Sequence, residues 1–94
     1  MTTSAVLLTP SGAGGIAVVR IVGSGGRAVI EKIFHPQRDA ASCDDSLQFG
    51  KIYDGSEIID QVIVATDSLA QTIDINCHGG PRIIQRLSML LQKQ

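Results

Sequence analysis

Gly15-Ile16-Ala17-Val18-Val19-Arg20-Ile21-Val22-Gly23 is the stretch on which the fold of this 94-residue chain turns. It is β-branched, almost wholly apolar and closed by glycine at both ends, the pattern of a central strand buried on both faces. Arg20 interrupts it. A guanidinium cannot shed its charge, and burying it unpaired is strongly unfavourable. Either the strand surfaces at Arg20, or an acid or an anionic ligand meets the side chain there. Glycine-rich turns bracket the strand, Thr9-Pro10-Ser11-Gly12-Ala13-Gly14-Gly15 before it and Gly23-Ser24-Gly25-Gly26 after it. Such turns let backbone approach a ligand closely.

Outward from this strand, residues 4–9 read as a short strand. Residues 25–35 read as a helix with Val29, Ile30, Ile33 and Phe34 on one face, Ser24 as N-cap and Pro36 as a stop. The polar segment 36–46 reads as a loop. Residues 47–53 and 56–65 form a hairpin through Asp54-Gly55, a dipeptide favoured in type I′ turns. Over residues 70–77, Ile73, Ile75 and Cys77 alternate with Thr72, Asp74 and Asn76, which predicts a half-buried strand. Gly80-Pro81 opens a helix to about residue 92, striped by Ile83, Ile84, Leu87, Leu90 and Leu91. The expectation is an α+β domain: a mixed β-sheet of about five strands with two amphipathic helices, in the order β-β-α-β-β-β-α.

This order contains a weak internal repeat. Gly25-Gly26-Arg27-Ala28-Val29-Ile30-Glu31-Lys32-Ile33 lies over Gly79-Gly80-Pro81-Arg82-Ile83-Ile84-Gln85-Arg86-Leu87 at an offset of 54 (79 − 25). The plainer explanation is coincidence, since any β-turn-α unit favours glycine at its corner. A real repeat predicts a pseudo-twofold domain, with both glycine corners expected at one end of the sheet.

Composition bounds the function. A chain of this length is one domain, 1–94, and buries roughly 60–68% of the surface exposed when unfolded. The hydrophobic fraction is 44%, mean hydropathy +0.20 and net charge −1. With Phe34, Phe49 and Tyr53 as the only aromatics, almost no platform exists for stacking single-stranded nucleic acid. The near-neutral charge gives no footprint for phosphate-backbone binding, so any nucleic-acid role is indirect. No 18-residue apolar run predicts a membrane span, and Met1-Thr2-Thr3-Ser4 lacks the basic flank of a secretory signal; the expected compartment is the cytoplasm. Cys43 and Cys77 fit neither a disulfide framework nor zinc spacing, and no metal site is expected.

The candidate chemistry lies at the corners. His78-Gly79-Gly80-Pro81 sets an imidazole at a strand end just before a helix N-terminus, whose free N–H groups and dipole favour an anion. The plainer reading is a capped corner with an incidental histidine. Cys77 and His78 do not make a nucleophile–base pair, because adjacent strand residues point to opposite faces; Cys77 reads as a small core residue. Gly12-Ala13-Gly14-Gly15 lacks the Gly-Lys-Ser/Thr ending of a phosphate loop and leads into a strand, so no nucleotide-hydrolysing machinery and no catalytic residue are expected in this chain. Asp39, Asp44, Asp45 and Asp54 read as solvated loop and turn acids.

The segment Thr9–Gly23 closely resembles the opening of the tRNA-modification GTPases called TrmE or MnmE, in which Thr-Pro-x-Gly-x-Gly-Gly-Ile leads into Val-Arg-Ile-Ser-Gly. The resemblance resumes at Phe49-Gly50, continues through Ile59-Asp60 and returns at His78-Gly79-Gly80-Pro81, covering essentially the whole chain in order and spacing. It implies an N-terminal domain related to tetrahydrofolate-binding domains, one that forms a homodimer and binds 5-formyl-tetrahydrofolate near the dimer interface as a one-carbon donor. The longer family protein, with a flavin-dependent partner, modifies the wobble uridine of certain tRNAs. By this resemblance Gly12, Gly14, Gly15, Arg20, His78, Gly79 and Gly80 are the folate-site residues. The G and helical domains of the family have no counterpart in these residues, so the domain is expected to be non-catalytic alone.

One departure matters. The family carries a glutamate before the strand leading to His-Gly-Gly, and counting back from His78 places Ala70 at that position. A carboxylate there would hold the pterin's N–H donors by charge-assisted hydrogen bonds. Three readings follow: a folate-binding dimerisation domain; the same fold kept as a dimerisation or interaction module without folate; or an unrelated α/β protein using its corners for another anion. Asp74 or Glu57 would support the first by approaching Arg20 or the pterin. Ala70→Glu is expected to restore a negative group beside Arg20, and a strand such as Val62–Ala65 is expected to pair across a twofold.

Overall fold

The computed structural model describes residues 3–8, 15–37 and 46–94. In chain order the elements are β1 (Ser4–Leu7), β2 (Ile16–Val22), α1 (Gly26–Ile33), β3 (Phe34–Pro36), β4 (Leu47–Asp54), β5 (Glu57–Asp67), β6 (Thr72–His78) and α2 (Pro81–Gln92). The strands form one sheet in the order β1-β2-β6-β5-β4-β3. The class is α+β as expected, but the sheet has six strands rather than five and is antiparallel throughout rather than mixed.

The sixth strand is β3, taken from the end of the predicted helix. Pro36 disfavours helical backbone at the residue before it. The chain leaves α1 at Phe34, which is extended (φ −108, ψ 129). The Phe34 side chain stays in the core while its backbone pairs with Ile52. Ser24 is not the N-cap; Gly25 holds that place, with no side-chain cap. The β4–β5 turn also differs from expectation. Its central residues are Gly55-Ser56, between the paired Asp54 and Glu57. Only Gly55 has positive φ (+63), the pattern of type II′ rather than I′.

Strand β2 is buried on one face, not two. Ala17, Val19 and Ile21 are 1–3% exposed, whereas Ile16 is 68% and Val22 40% exposed. An apolar run reads the same with one covered face or two. Here both helices lie on one side, which an antiparallel sheet tolerates. Strand β6 and helix α2 form as predicted: Ile73, Ile75 and Cys77 turn inward against Ile84, Leu87 and Leu90. The opposite face, carrying Ile16, Val18, Arg20, Asp74, Asn76 and Phe49, has no helix over it among the described residues. No helix among the described residues is long and apolar enough to cross a membrane.

The repeat has a geometric counterpart. Arg20 lies directly opposite Asp74, and these positions are 54 apart (74 − 20), the offset of the repeat. A twofold through that pair, normal to the sheet, carries β2 onto β6. It carries β1, at 4–7, onto 63–66 of β5, because Val6 lies opposite Arg20 and Ala65 opposite Asp74, so the 54-residue offset holds for β2 and β6 but not for the outer strands. Such a rotation reverses strand direction, so the glycine corners fall at opposite ends of the sheet, contrary to expectation. Gly23 N–H bonds the Gln71 carbonyl at 3.0 Å at one end, and Gly79 N–H bonds the Gly15 carbonyl at 3.2 Å at the other.

Candidate functional site

The β5–β6 ladder runs from Asp67–Thr72 to Ile63–Asn76 and stops there. Beyond it the Asp60 side chain takes over. Its Oδ2 accepts the backbone N–H of His78 at 2.8 Å, and its Oδ1 lies 2.7 Å from His78 Nδ1. The Asp60 side chain is 10% exposed and that of His78 65%. Asn76 closes the last rung by donating Nδ2–H to the Ile63 carbonyl at 3.1 Å. Between the parted strands lies a groove of about 330 Å³, lined by Ile16, Phe49, Gln61, Ile63, Asn76 and His78 among others. This is the low end of the usual range for small-molecule sites, with the usual mixture of apolar walls and a few polar groups.

The corner beyond the groove is fixed by backbone chemistry. Gly80 is the extended N-cap of α2 (φ −63, ψ 140) without a side-chain cap, and Pro81 supplies the first helical residue. Gly15, His78, Gly79 and Gly80 are thereby gathered at one end of β2 and β6. Gly12 and Gly14 lie outside the described residues.

Arg20 is on the same open face but not at the corner. Ile16 is the residue opposite His78, and four residues of strand, about 13 Å, separate Ile16 from Arg20. An acid meets the guanidinium: Nε donates to Asp74 Oδ1 at 2.7 Å and Nη2 to Oδ2 at 2.9 Å, a bidentate pair. The hydrogen bonding of Arg20 to Asp74, reinforced by the carboxylate's charge, raises the Arg20 pKa above its ordinary value. Glu57 pairs instead with Arg86, at 2.6 Å. Ala70 is exposed in the β5–β6 turn, its N–H bonded to Asp67 Oδ1 at 3.1 Å. That turn sits at the Gly23 end of the sheet, away from His78, so Ala70 is not beside the corner residues.

Asp60 is the residue that sequence reasoning missed. It marked Ile59-Asp60 only as a point of resemblance, although a lone acid inside the apolar run Ile58–Ala65 is the same signal that singled out Arg20. Cys77, by contrast, behaves as read. Its side chain faces the core, 3% exposed, and burial, then the charge of Asp60, pushes its thiol above the ordinary value of 9.0. The folded state therefore holds its proton more tightly than the unfolded state. That contribution to stability is complete below the unfolded pKa and falls as pH rises from there through the folded value. In a Cys43→Ser background, Cys77 should alkylate at pH 8 many-fold more slowly than after denaturation. Equal rates would show the thiol to be accessible.

Against this geometry stand the comparisons with known proteins. A family model described as "GTP-binding protein TrmE N-terminus" matches residues 3–94. The chain belongs to this family. A tRNA modification GTPase MnmE from Flavobacterium psychrophilum is 35% identical to it over 98% of the chain and 22% of the relative. MnmE from Carboxydothermus hydrogenoformans is 32% identical over 98% of the chain and 22% of the relative. That from Chlorobaculum tepidum is 30% identical over 93% and 20%. The chain thus spans about a fifth of the length of the curated relatives it matches, and what it shares with the TrmE family is the N-terminal domain.

Proposed function

We propose that this TrmE-type domain binds a reduced folate, 5-formyl-tetrahydrofolate, at the His78 corner and pairs with a second copy. In this reading it serves, without catalysis of its own, the N-terminal role in a cytoplasmic tRNA-modification GTPase. A flavin-dependent partner and tRNA would meet it through the longer protein. The observation that carries the folate reading is the gathering of Gly15, Gly79 and Gly80 at a corner where His78 enters a groove walled by Phe49 and Ile16. Binding should appear by calorimetry with a dissociation constant of tens of micromolar or tighter, roughly −6 to −7 kcal/mol. No heat at millimolar ligand would leave the second reading, a dimerisation or interaction module without folate. The approach of Asp74 to Arg20, through two hydrogen bonds, supports the first reading.

Pairing with a second copy is supported by the open sheet face, where Ile16 (68% exposed), Phe49 (61%), Leu47 (52%) and Val6 (48%) stand in solvent. Strand pairing through Val62–Ala65 is not available, because β5 is hydrogen-bonded on both sides, to β4 and to β6. Sedimentation should give a dimer at micromolar concentration, and Phe49→Glu should weaken it. A clean monomer would remove the claim.

A further inference from the structure

The groove exists because β5 and β6 stop pairing before either strand ends. We infer that Asp60 is the wedge that parts them: its carboxylate takes the hydrogen bond that would otherwise zip the strands together, and the gap it keeps is the groove. A groove built in this way stands open whichever molecule fills it.

The direction of the backbone N–H groups identifies what Asp60 displaces. Along a strand of an antiparallel sheet, successive residues turn their N–H groups to alternate neighbours. Gly79 N–H points to β2, where it bonds the Gly15 carbonyl at 3.2 Å, so the N–H of His78 points to β5. The last β5–β6 pair is Ile63 with Asn76, yet β5 reaches back to Glu57 and β6 on to His78. Continuing that register sets Val62 opposite Cys77 and Gln61 opposite His78, with the Gln61 carbonyl as the regular acceptor for the His78 N–H. That proton goes to Asp60 Oδ2 instead, at 2.8 Å. Residues 61–63 of β5 and 76–78 of β6 all line the groove, so the interrupted pairing and the open space coincide.

The placement of Asp60 has its own cause. Asp60 lies opposite Ile52 but Ile58 lies opposite Tyr53, which leaves Ile59 as an extra residue in β5. A bulge of this kind re-aims the neighbouring side chain and ends pairing. Asp60 is in phase with Val62 and Val64, whose side chains enter the core. In a regular strand its carboxylate would point beneath the helices, where an unpaired charge is costly. At the bulge it reaches sideways to β6, to the His78 N–H and, at 2.7 Å, to ring Nδ1. A backbone N–H is a donor whatever the charge of the ring, so the wedge does not depend on that charge.

Scalar couplings across hydrogen bonds test this directly. In the wild-type chain the His78 backbone nitrogen should couple to the Asp60 side-chain carboxyl carbon. In Asp60→Ala it should couple to the Gln61 carbonyl carbon, as the ladder closes. Asp60→Asn keeps a side-chain acceptor and should keep the strands apart. His78→Ala removes the ring but not the backbone N–H, and should keep them apart too. Closing the ladder takes away the space between the strands, so 5-formyl-tetrahydrofolate should bind Asp60→Ala at least about tenfold more weakly than Asp60→Asn. A wild type that binds no folate, with the couplings as stated, would uphold the wedge and overturn the folate reading alone. No coupling to Asp60 in the wild type, strands that stay parted in Asp60→Ala, a ladder that closes in Asp60→Asn or His78→Ala, or equal folate affinities in the two Asp60 variants would overturn the inference itself.

Discussion

Ile75→Ala should be the most damaging single truncation in the domain, costing about 2–5 kcal/mol. Ile75 is wholly buried, at 0% exposure. It lies opposite Val19 on one side and Val64 on the other, so its side chain is the middle of a row crossing three strands beneath the helices. Domains of this size have total stabilities of about 5–14 kcal/mol, so the loss consumes a large share of the whole. At about 4–8 °C per kcal/mol, a central value of about 3 kcal/mol lowers Tm by roughly 12–24 °C. Ile75→Val, which keeps most of the volume, should cost only about 0.5–1.5 kcal/mol. Denaturant titration of both variants checks this. A loss below about 1 kcal/mol for the alanine variant would mean that the core closes over the cavity and is less tightly packed than the burial indicates.

Gly50→Ala should be nearly as harmful, through crowding rather than a void. A β-carbon on Gly50 would run into the His35 backbone carbonyl and the Phe34 ring. Gly50 is the residue opposite Pro36, and Gln37 N–H bonds the Phe49 carbonyl at 2.7 Å. The methyl group therefore pushes β3 off the sheet edge or forces Phe34 out of its place in the core. Overpacking of this kind costs about 1–3 kcal/mol. Loss of hydrogen-exchange protection at the Gln37 amide should accompany it, because that proton is held only while β3 docks. Gly50 also lines the groove with Phe49, so ligand affinity should fall with the same substitution. Retained protection at Gln37 with wild-type stability would show that β3 can shift aside freely.

How far the sequence spoke depended on whether the deciding interaction was local. The alternation around Ile75 and the stripe of α2 follow from periodicity alone, and both elements form where they were read. Strand β3 was invisible, because an apolar residue after Ile33 extends a helical stripe as well as it begins a strand; what decides is Pro36 and the pairing of Phe34 with Ile52, far away in sequence. For Arg20 the sequence posed the right question, and its answer, Asp74, was one of the acids named. The turn at His78-Gly79-Gly80-Pro81 was readable as a strand end that opens a helix. Asp60 carried the same local signal as Arg20, a charge inside an apolar run, but its partner, His78, follows from two strands parting, a tertiary event that the sequence does not display. Ala70 precedes β6 and His78 ends it, so that one strand sends them to opposite ends of the sheet.

The salt bridge on the pseudo-twofold has an implication for how such a domain can be assembled. Two separate, identical half-domains would set the residue at the axis against its own copy, arginine facing arginine or aspartate facing aspartate, each a repulsion. Opposite charges at that point exist only when the two halves differ, and a single covalent chain guarantees that they meet. Arg20 and Asp74 therefore make the halves non-interchangeable: a chain built from two copies of β1-β2-α1 would confront two guanidiniums where the native sheet has a closed ion pair. The same pairing opposes a slip of β2 along β6, since one step would leave each charge facing an isoleucine or a valine. The symmetry of the fold is thus broken at its own centre, and that break works as a key that only one arrangement of the two halves can turn.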